Sequence, residues 1–353
     1  MLVDTNMNRL LPTMIVISSA ALLVPSADAQ AVAPANPQRP AAASAQPGAR
    51  PAPPTALGQK EAARGALFAA IGKMPDIPGS GPFPATYDMA AGGLVDVVYQ
   101  PKDLAEAAKV RKLGVYVWGN GGCGTDATSA RFHLIEIASR GYVAIAPGRI
   151  QSGPKAPERT GASSREATQE RATAAKMLAA VDWILAENQK QGSPYYQLID
   201  PSRIAVSGHS CGGLIALEAS LDPRVKVLVL ENSGVLQAGG MASAPGMPSI
   251  AKADLDKLRI PVLYINGGPE DMAEPNALDD FNRITKVPVF VADHPGAGHG
   301  GLFAEPHGEA TKVELDWLAW RLFGDQVAAR TFEGDDCVLC RDFRWTVHRK
   351  GIR

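Results

Sequence analysis

Gly208-His209-Ser210-Cys211-Gly212 has the spacing G-x-S-x-G of a turn built around a nucleophilic hydroxyl. The apolar run Ile204-Ala205-Val206 comes just before it, and a helical pattern, Gly212 to Leu221, begins just after. In a sharp strand-to-helix elbow, side chains beside the serine would collide with the neighbouring strand and helix, which is a physical reason for both glycines. Such an elbow lifts the Ser210 hydroxyl clear of the sheet. It also places the backbone N–H of Cys211 at a helix N-terminus, where it can bind a developing oxyanion. The plainer alternative is a tight turn with an incidental serine.

A serine hydroxyl becomes nucleophilic when a base takes its proton. His299 lies in Gly296-Ala297-Gly298-His299-Gly300-Gly301, just past the last strand pattern, and is the expected base; His294 is the competitor, and a surface loop histidine is the bland reading. An acid must then hold the imidazole tautomer and stabilise the imidazolium. Asp271 fits, in Asn266-Gly267-Gly268-Pro269-Glu270-Asp271, with Glu270 adjacent as the alternative. Asp279 and Asp280 read as residues of a solvated helix. A second oxyanion donor is expected from Gly119-Asn120-Gly121-Gly122-Cys123-Gly124, whose glycines let backbone approach a substrate carbonyl; the N–H of Gly122 or Gly121 is favoured over an ordinary glycine turn.

These residues need a scaffold, and the rest of the chain supplies its pattern. Strands are predicted at Leu94 to Tyr99, Leu113 to Trp118, Tyr142 to Ala146, Arg203 to Val206, Val225 to Leu230, Ile260 to Ile265 and Val287 to Val291. Several are continuous β-branched runs without alternation, as in strands buried on both faces. Between them lie helical patterns. Ser163-Ser164-Arg165-Glu166 reads as a capping box opening a long helix, with Met177, Leu178, Val181, Ile184 and Leu185 as its core-facing stripe. Glu309 to Phe323 is another helix. Alternation of this kind predicts an α/β fold: a mostly parallel central sheet with helices on both faces, and reactive groups on loops at the carboxyl ends of the strands. Leu236 to Ile250, rich in Gly, Met and Ala, is either a mobile wall or lid over the pocket or a plain long loop.

Taken together, the stretches WGNGGCG (Trp118 to Gly124), DPSRIAVSGHSCGG (Asp200 to Gly213) and GAGHGG (Gly296 to Gly301) give the chain, from about Gly79 to Arg353, a resemblance to the α/β-hydrolase superfamily. It is most similar to the secreted esterase branch that includes dienelactone-hydrolase-like, cutinase-like and platelet-activating-factor-acetylhydrolase-like enzymes. The order Ser210, Asp271, His299 is the superfamily's, and the glycine loop resembles its HGGG-type oxyanion loop with Asn120 in the histidine's place. Dienelactone hydrolases place Cys at the centre of the elbow; here the centre is Ser210 and Cys211 follows. The resemblance also implies that the Trp118 and Val206 strands are neighbours. The expected activity is carboxylic ester hydrolysis through an acyl-enzyme on a small-molecule or polymeric ester. The alternatives are cleavage of another acyl bond, peptide or thioester, by the same residues, and a non-catalytic binding module on the same fold.

Composition bounds the rest. Apolar residues make up 46% of the 353 residues, enough for a sizeable core, and a net charge of −1 gives no basic excess with which to hold nucleic acid or an anionic membrane surface. Arg9, the apolar stretch Leu10 to Val24 and Ala27-Asp28-Ala29 have the form of a cleaved signal peptide over residues 1–29, so the protein is expected to be exported, secreted or periplasmic. The stretch is short for a bilayer span and contains Pro12, so stable membrane insertion is not expected. Residues 30–57, almost wholly Ala, Pro, Gln, Ser, Gly and Arg, read as a disordered linker, leaving 58–353 as the catalytic domain. Cys337-Val338-Leu339-Cys340 reads as a tight disulfide rather than a redox motif or half of a zinc site, and Cys123 and Cys211 are either a second disulfide or two buried thiols. No cofactor or metal is called for.

Overall fold

Leu113–Gly119 has no polar side to turn toward water, and every residue in it is buried. A strand of this kind needs helices on both faces. In the computed structural model of the chain, which describes residues 66–67, 69–158, 170–300, 306 and 308–352, it lies in the middle of a nine-stranded sheet. The described residues belong to one compact unit, Pro54–Arg353. The expected signal segment, the linker and the capping box at Ser163 lie outside the described residues.

The strands are β1 (Ala85–Met89), β2 (Asp96–Pro101), β3 (Leu113–Gly119), β4 (Tyr142–Pro147), β5 (Ile199–His209), β6 (Val227–Glu231), β7 (Val262–Asn266), β8 (Val289–Asp293) and β9 (Thr346–Lys350). Their order is β1-β2-β4-β3-β5-β6-β7-β8-β9. From β4 to β8 every pairing is parallel, and β1, β2 and β9 are antiparallel at the edges. β3 and β5 are neighbours, with Val117 opposite Val206 and Gly119 opposite Gly208. The elbow and the glycine loop therefore leave the sheet side by side, at its carboxyl edge.

The main helices are α1 (Leu104–Val110), α2 (Arg131–Ser139), α3 (Ala174–Gln189), α4 (Cys211–Ala219), α5 (Glu274–Arg283) and α6 (Glu309–Phe323); the short α7 (Gln326–Ala329) and α8 (Val338–Arg341) follow. In α3, Met177, Val181 and Ile184 are fully buried, with Leu178 and Leu185 partly buried against the same layer as Ile215 of α4. Across the sheet, Leu134 and Ile137 of α2 pack with Trp317 and Leu318 of α6. No helix among the described residues is long and apolar enough to cross a membrane.

Two expectations change. Among described residues α3 begins at Ala174, where the Thr173 hydroxyl caps it by accepting from the Lys176 N–H at 3.2 Å. Asp280 is not on a solvated face of α5. It is fully buried, accepting from the Val235 N–H at 2.7 Å and from Lys252 Nζ at 2.6 Å, while its neighbour Asp279 stays partly exposed.

Candidate active site

The elbow is strained where the sequence places its serine. Ser210 has φ 55° and ψ −122°, in the left-handed half of backbone space that residues with a Cβ avoid. Backbone packing imposes the turn. A Cβ at Gly208 would meet the Gly212 carbonyl oxygen at 2.4 Å, and one at Gly212 would meet the Gly119 carbonyl oxygen at 2.0 Å. The Ser210 N–H donates to the Glu231 carbonyl at 2.9 Å, and the Ser210 carbonyl accepts from Ser233 Oγ at 2.7 Å and the Gly213 N–H at 2.9 Å. Cys211 opens α4, in the first turn, where N–H groups have no intrahelical acceptor.

Ser210, His299 and Asp271 are brought together. His299 Nε2 lies 2.9 Å from Ser210 Oγ, and Nδ1 lies 2.7 Å from Asp271 Oδ1. Asp271 is a buried carboxylate that only accepts, so Nδ1 carries the hydrogen and Nε2 faces the hydroxyl as acceptor. Both Asp271 oxygens are occupied: Oδ1 also takes the Ala273 N–H at 2.9 Å, and Oδ2 takes Asn232 Nδ2 at 2.7 Å and the Gly267 N–H at 3.2 Å. Burial pushes this carboxyl up, but the hydrogen bonds from His299, Ala273 and Asn232 outweigh it and hold it below the ordinary value. The competitors point elsewhere. His294 Nε2 pairs with Glu309 at 3.3 Å and its ring packs edge-on to Trp345, while Glu270 accepts from the Gly296 N–H at 3.2 Å.

Asn232 is the residue that the sequence did not flag. It is buried, takes a left-handed φ of 46°, and gives a second hydrogen bond to the Gly298 carbonyl at 3.2 Å. One amide thus ties the acid to the loop that carries His299. Its only advance signal was its place immediately after a buried strand beside the elbow strand.

The glycine loop forms a single turn, Gly121–Cys123, with Gly122 at φ 64°. Asn120 does not face the cavity as a donor. Its amide pins the loop to the Gly124 and Pro147 carbonyls at 3.2 and 3.0 Å. Gly121 is backed by the His209 ring, whose Nδ1 would stand 2.6 Å from a Cβ there, whereas Gly122 lines the open cavity. Cys123 and Cys211 form a disulfide with Cα atoms 5.1 Å apart, joining the glycine loop to the first residue of α4. Cys337 and Cys340 form the second.

A cavity of about 270 Å³ opens from Ser210 and His299. Leu236, Met241 and Met247 form one wall, which answers part of the question about the Leu236 to Ile250 stretch: it borders the site. That wall is tied down by Gln237 to Asp279 at 3.0 Å and by Arg171, whose stem lies against Gly246 while its Nη2 reaches the Gly122 carbonyl at 3.2 Å.

The match with known proteins fits this geometry. Residues 106–326 match the dienelactone hydrolase family, more than half of the chain. The chain belongs to that family. No curated protein matches it. The dienelactone hydrolase family has the α/β-hydrolase fold, so the chain is a hydrolase by descent as well as by architecture.

This dienelactone hydrolase family member also carries a buried polar group on the far side of the sheet. Among the described residues, His133, Glu231 and Glu314 are the one group with the donor types to hold a metal ion, each fully buried. His133 Nδ1 meets Thr311 Oγ1 at 2.8 Å, and Nε2 lies 3.2 Å from Glu314 and 2.9 Å from the Tyr116 hydroxyl. Burial, with Glu314 beside it, raises the Glu231 carboxyl well above its ordinary value. The Glu231 carbonyl, on the same residue, is the acceptor for Ser210.

Proposed function

We propose that the protein is an exported serine carboxylic ester hydrolase that works through an acyl-enzyme, with Ser210 as nucleophile, His299 as base and Asp271 as the acid that orients it. The observation that carries the reading is the unbroken line Ser210 Oγ, His299 Nε2, His299 Nδ1, Asp271 Oδ1, with separations of 2.9 and 2.7 Å, on a strained elbow facing a cavity. His299 Nε2 takes the hydroxyl proton as Oγ bonds to the ester carbonyl carbon. The carbonyl oxygen becomes an oxyanion, which accepts from the N–H of Cys211 and from the N–H of Gly122, preferred over Gly121 because Gly122 faces the cavity. The carbon–oxygen bond to the alcohol breaks and the imidazolium returns its proton to the leaving alcohol. Water then attacks the acyl-enzyme, His299 takes its proton, and the acid leaves as Oγ is reprotonated. Asp271, held below its ordinary value, stays ionised and stabilises the imidazolium.

The reading is tested with p-nitrophenyl esters and a fluorophosphonate. Wild-type protein is expected to turn over the ester and to gain the mass of one phosphonyl group on Ser210. Ser210→Ala is expected to lose a factor on the order of 10⁴ or more in kcat while keeping its melting temperature. Activity within tenfold of wild type removes the assignment. Export rests on Arg9, the apolar stretch after it and Ala27-Asp28-Ala29, and two disulfides accord with an oxidising compartment. N-terminal sequencing of the exported protein should begin near Gln30.

A further inference from the structure

The cavity beside Ser210 has a chemistry of its own. Leu214, Leu236, Met241, Met247, Met272 and Ala273 make its lining mostly apolar, with Ser233 and Asn276 as polar neighbours beside the candidate site residues. Methionines are common where a surface must fit chains of variable shape, because the thioether stem is unbranched and adaptable. Two of these stand at the rim rather than in the core: Met241 is 59% exposed and Met272 67% exposed. Large apolar side chains left in water on both lips of an apolar cleft mark a surface that a ligand covers. Among the described residues one charged side chain lines the cavity, Arg171. Its guanidinium is turned to the Gly122 carbonyl at 3.2 Å and its stem to the wall at Gly246, so it braces the cavity. Among the described residues the lining carries no carboxylate.

Size narrows the class. At about 30 Å³ for each water-sized group, 270 Å³ holds about nine such groups. The ester carbon and its two oxygens occupy about three of these, which leaves room for roughly six more carbons.

On these grounds, and resting on the hydrolase reading above, we propose that the site takes esters bearing an unbranched apolar chain of medium length, roughly six to eight carbons, in preference to acetate esters. The apolar chain lies along Leu214, Met247 and the two rim methionines. Each methylene moved from water into such a lining is worth about a fourfold gain in kcat/KM. Acetate to hexanoate adds four methylenes, so the ceiling is about 250-fold, and a gain of at least tenfold is expected.

The test uses the mature protein with p-nitrophenyl esters from acetate to dodecanoate and with acetates of alcohols from methanol to decanol, Ser210→Ala serving as the blank. A rise in kcat/KM to a maximum near six to eight carbons in the acyl or the alcohol series, with a fall beyond, supports the proposal. Acetate as the best acyl ester together with a flat alcohol series overturns it. Met241→Asp, at a rim position that is 59% exposed, should cut the hexanoate-to-acetate ratio at least threefold, and Leu214→Trp should move the maximum to shorter chains. Ratios unchanged in both variants also overturn it. Absence of turnover on every ester, with no phosphonyl label on Ser210, is a different failure: it removes the hydrolase reading and this inference with it.

Discussion

Removing the Cys123–Cys211 bond should separate stability from catalysis in a measurable way. The bond closes a loop of 88 residues. In the chain-entropy treatment such a crosslink restricts the unfolded chain by about 4.6 kcal/mol at 25 °C, a ceiling that native strain or residual structure lowers. Unfolding entropy near 2.1 cal/mol/K per residue, over the Pro54–Arg353 unit, converts this to a fall of about 7 °C in melting temperature. The catalytic effect has a separate origin. Cys211 carries one proposed oxyanion donor and Cys123 follows the other, so the bond fixes the distance between two N–H groups before substrate arrives. Losing one such donor costs about 10² to 10³ in kcat, and loosening one should cost about ten- to a hundredfold. KM should move less than threefold, because the donors act mainly on the transition state. Cys123→Ser is the variant, with mild reduction of the wild type as a second route, free thiols counted by mass, and kcat measured well below the lowered melting temperature. Cys337→Ser with Cys340→Ser is the control. Its loop spans three residues, so the same treatment allows about 1.6 kcal/mol and no loss of kcat. A Cys123→Ser protein that unfolds earlier but keeps wild-type kcat refutes preorganisation by the bond.

Four further outcomes are expected. His299→Ala should match Ser210→Ala in kcat, while His294→Ala, whose ring pairs with Glu309, should stay within a few-fold of wild type; equal losses would reopen the choice of base. Asp271→Asn should lose far more kcat than Glu270→Gln, and the reverse ranking would move the acid to Glu270. Asn232→Ala leaves Asp271 Oδ2 one donor short, so it should lower kcat at least tenfold with little change in KM and move the acidic limb of the pH–rate profile; an unchanged profile would reduce Asn232 to packing. Asp96 is buried, which pushes its carboxyl up to about 6, above its unfolded value, so its contribution to stability is full below about pH 4 and is lost as pH rises through 6. Asp96→Asn, which can still accept from the Gly148 N–H, should gain up to about 3 kcal/mol relative to wild type between pH 4 and pH 8, and melting curves with the same pH slope for both proteins would show the shift to be absent.

The sequence was most readable where burial is continuous. β3, β4, β6, β7 and β8 are fully buried and apolar but for Glu231, Asn266 and Asp293 at their carboxyl ends, and a strand covered on both faces has nothing else to be. The two outermost strands, β1 and β9, were not readable, whereas the expected Leu94 to Tyr99 overlaps β2. β9 is Thr346-Val347-His348-Arg349-Lys350, exposed or half-buried throughout, and its place comes from pairing with β8 rather than from any pattern of its own. β5 was half seen, because its first residues, Ile199-Asp200-Pro201-Ser202, have turn chemistry although they extend the strand. Asp280 misled for a related reason. Between Asp279 and Arg283 it looks like a surface charge, and what buries it is the Val235 N–H, far off in sequence. Site residues were legible where local chain geometry demands them, as at Gly208 and Gly212, whose missing Cβ atoms admit neighbouring backbone.

Asn232 shows what local reading cannot supply, and it does not act alone. It is the middle of three successive residues at the carboxyl end of β6, each holding a different part of the candidate site. The Glu231 carbonyl takes the Ser210 N–H, Asn232 holds Asp271 and the Gly298 carbonyl, and Ser233 Oγ holds the Ser210 carbonyl. Nucleophile, acid and histidine loop come from segments distant in sequence, and this one strand end ties them together. A strained φ at Ser210 persists only if its surroundings over-determine it, and bonds to both its N–H and its carbonyl from the adjacent strand do that. The buried Glu231 side chain lies close to Glu314 and His133 on the other face of the same strand end. Substitutions along Glu231, Asn232 and Ser233 should therefore act on kcat through the geometry of the site, with Asn232 and Ser233 also bordering the cavity where the ester would lie.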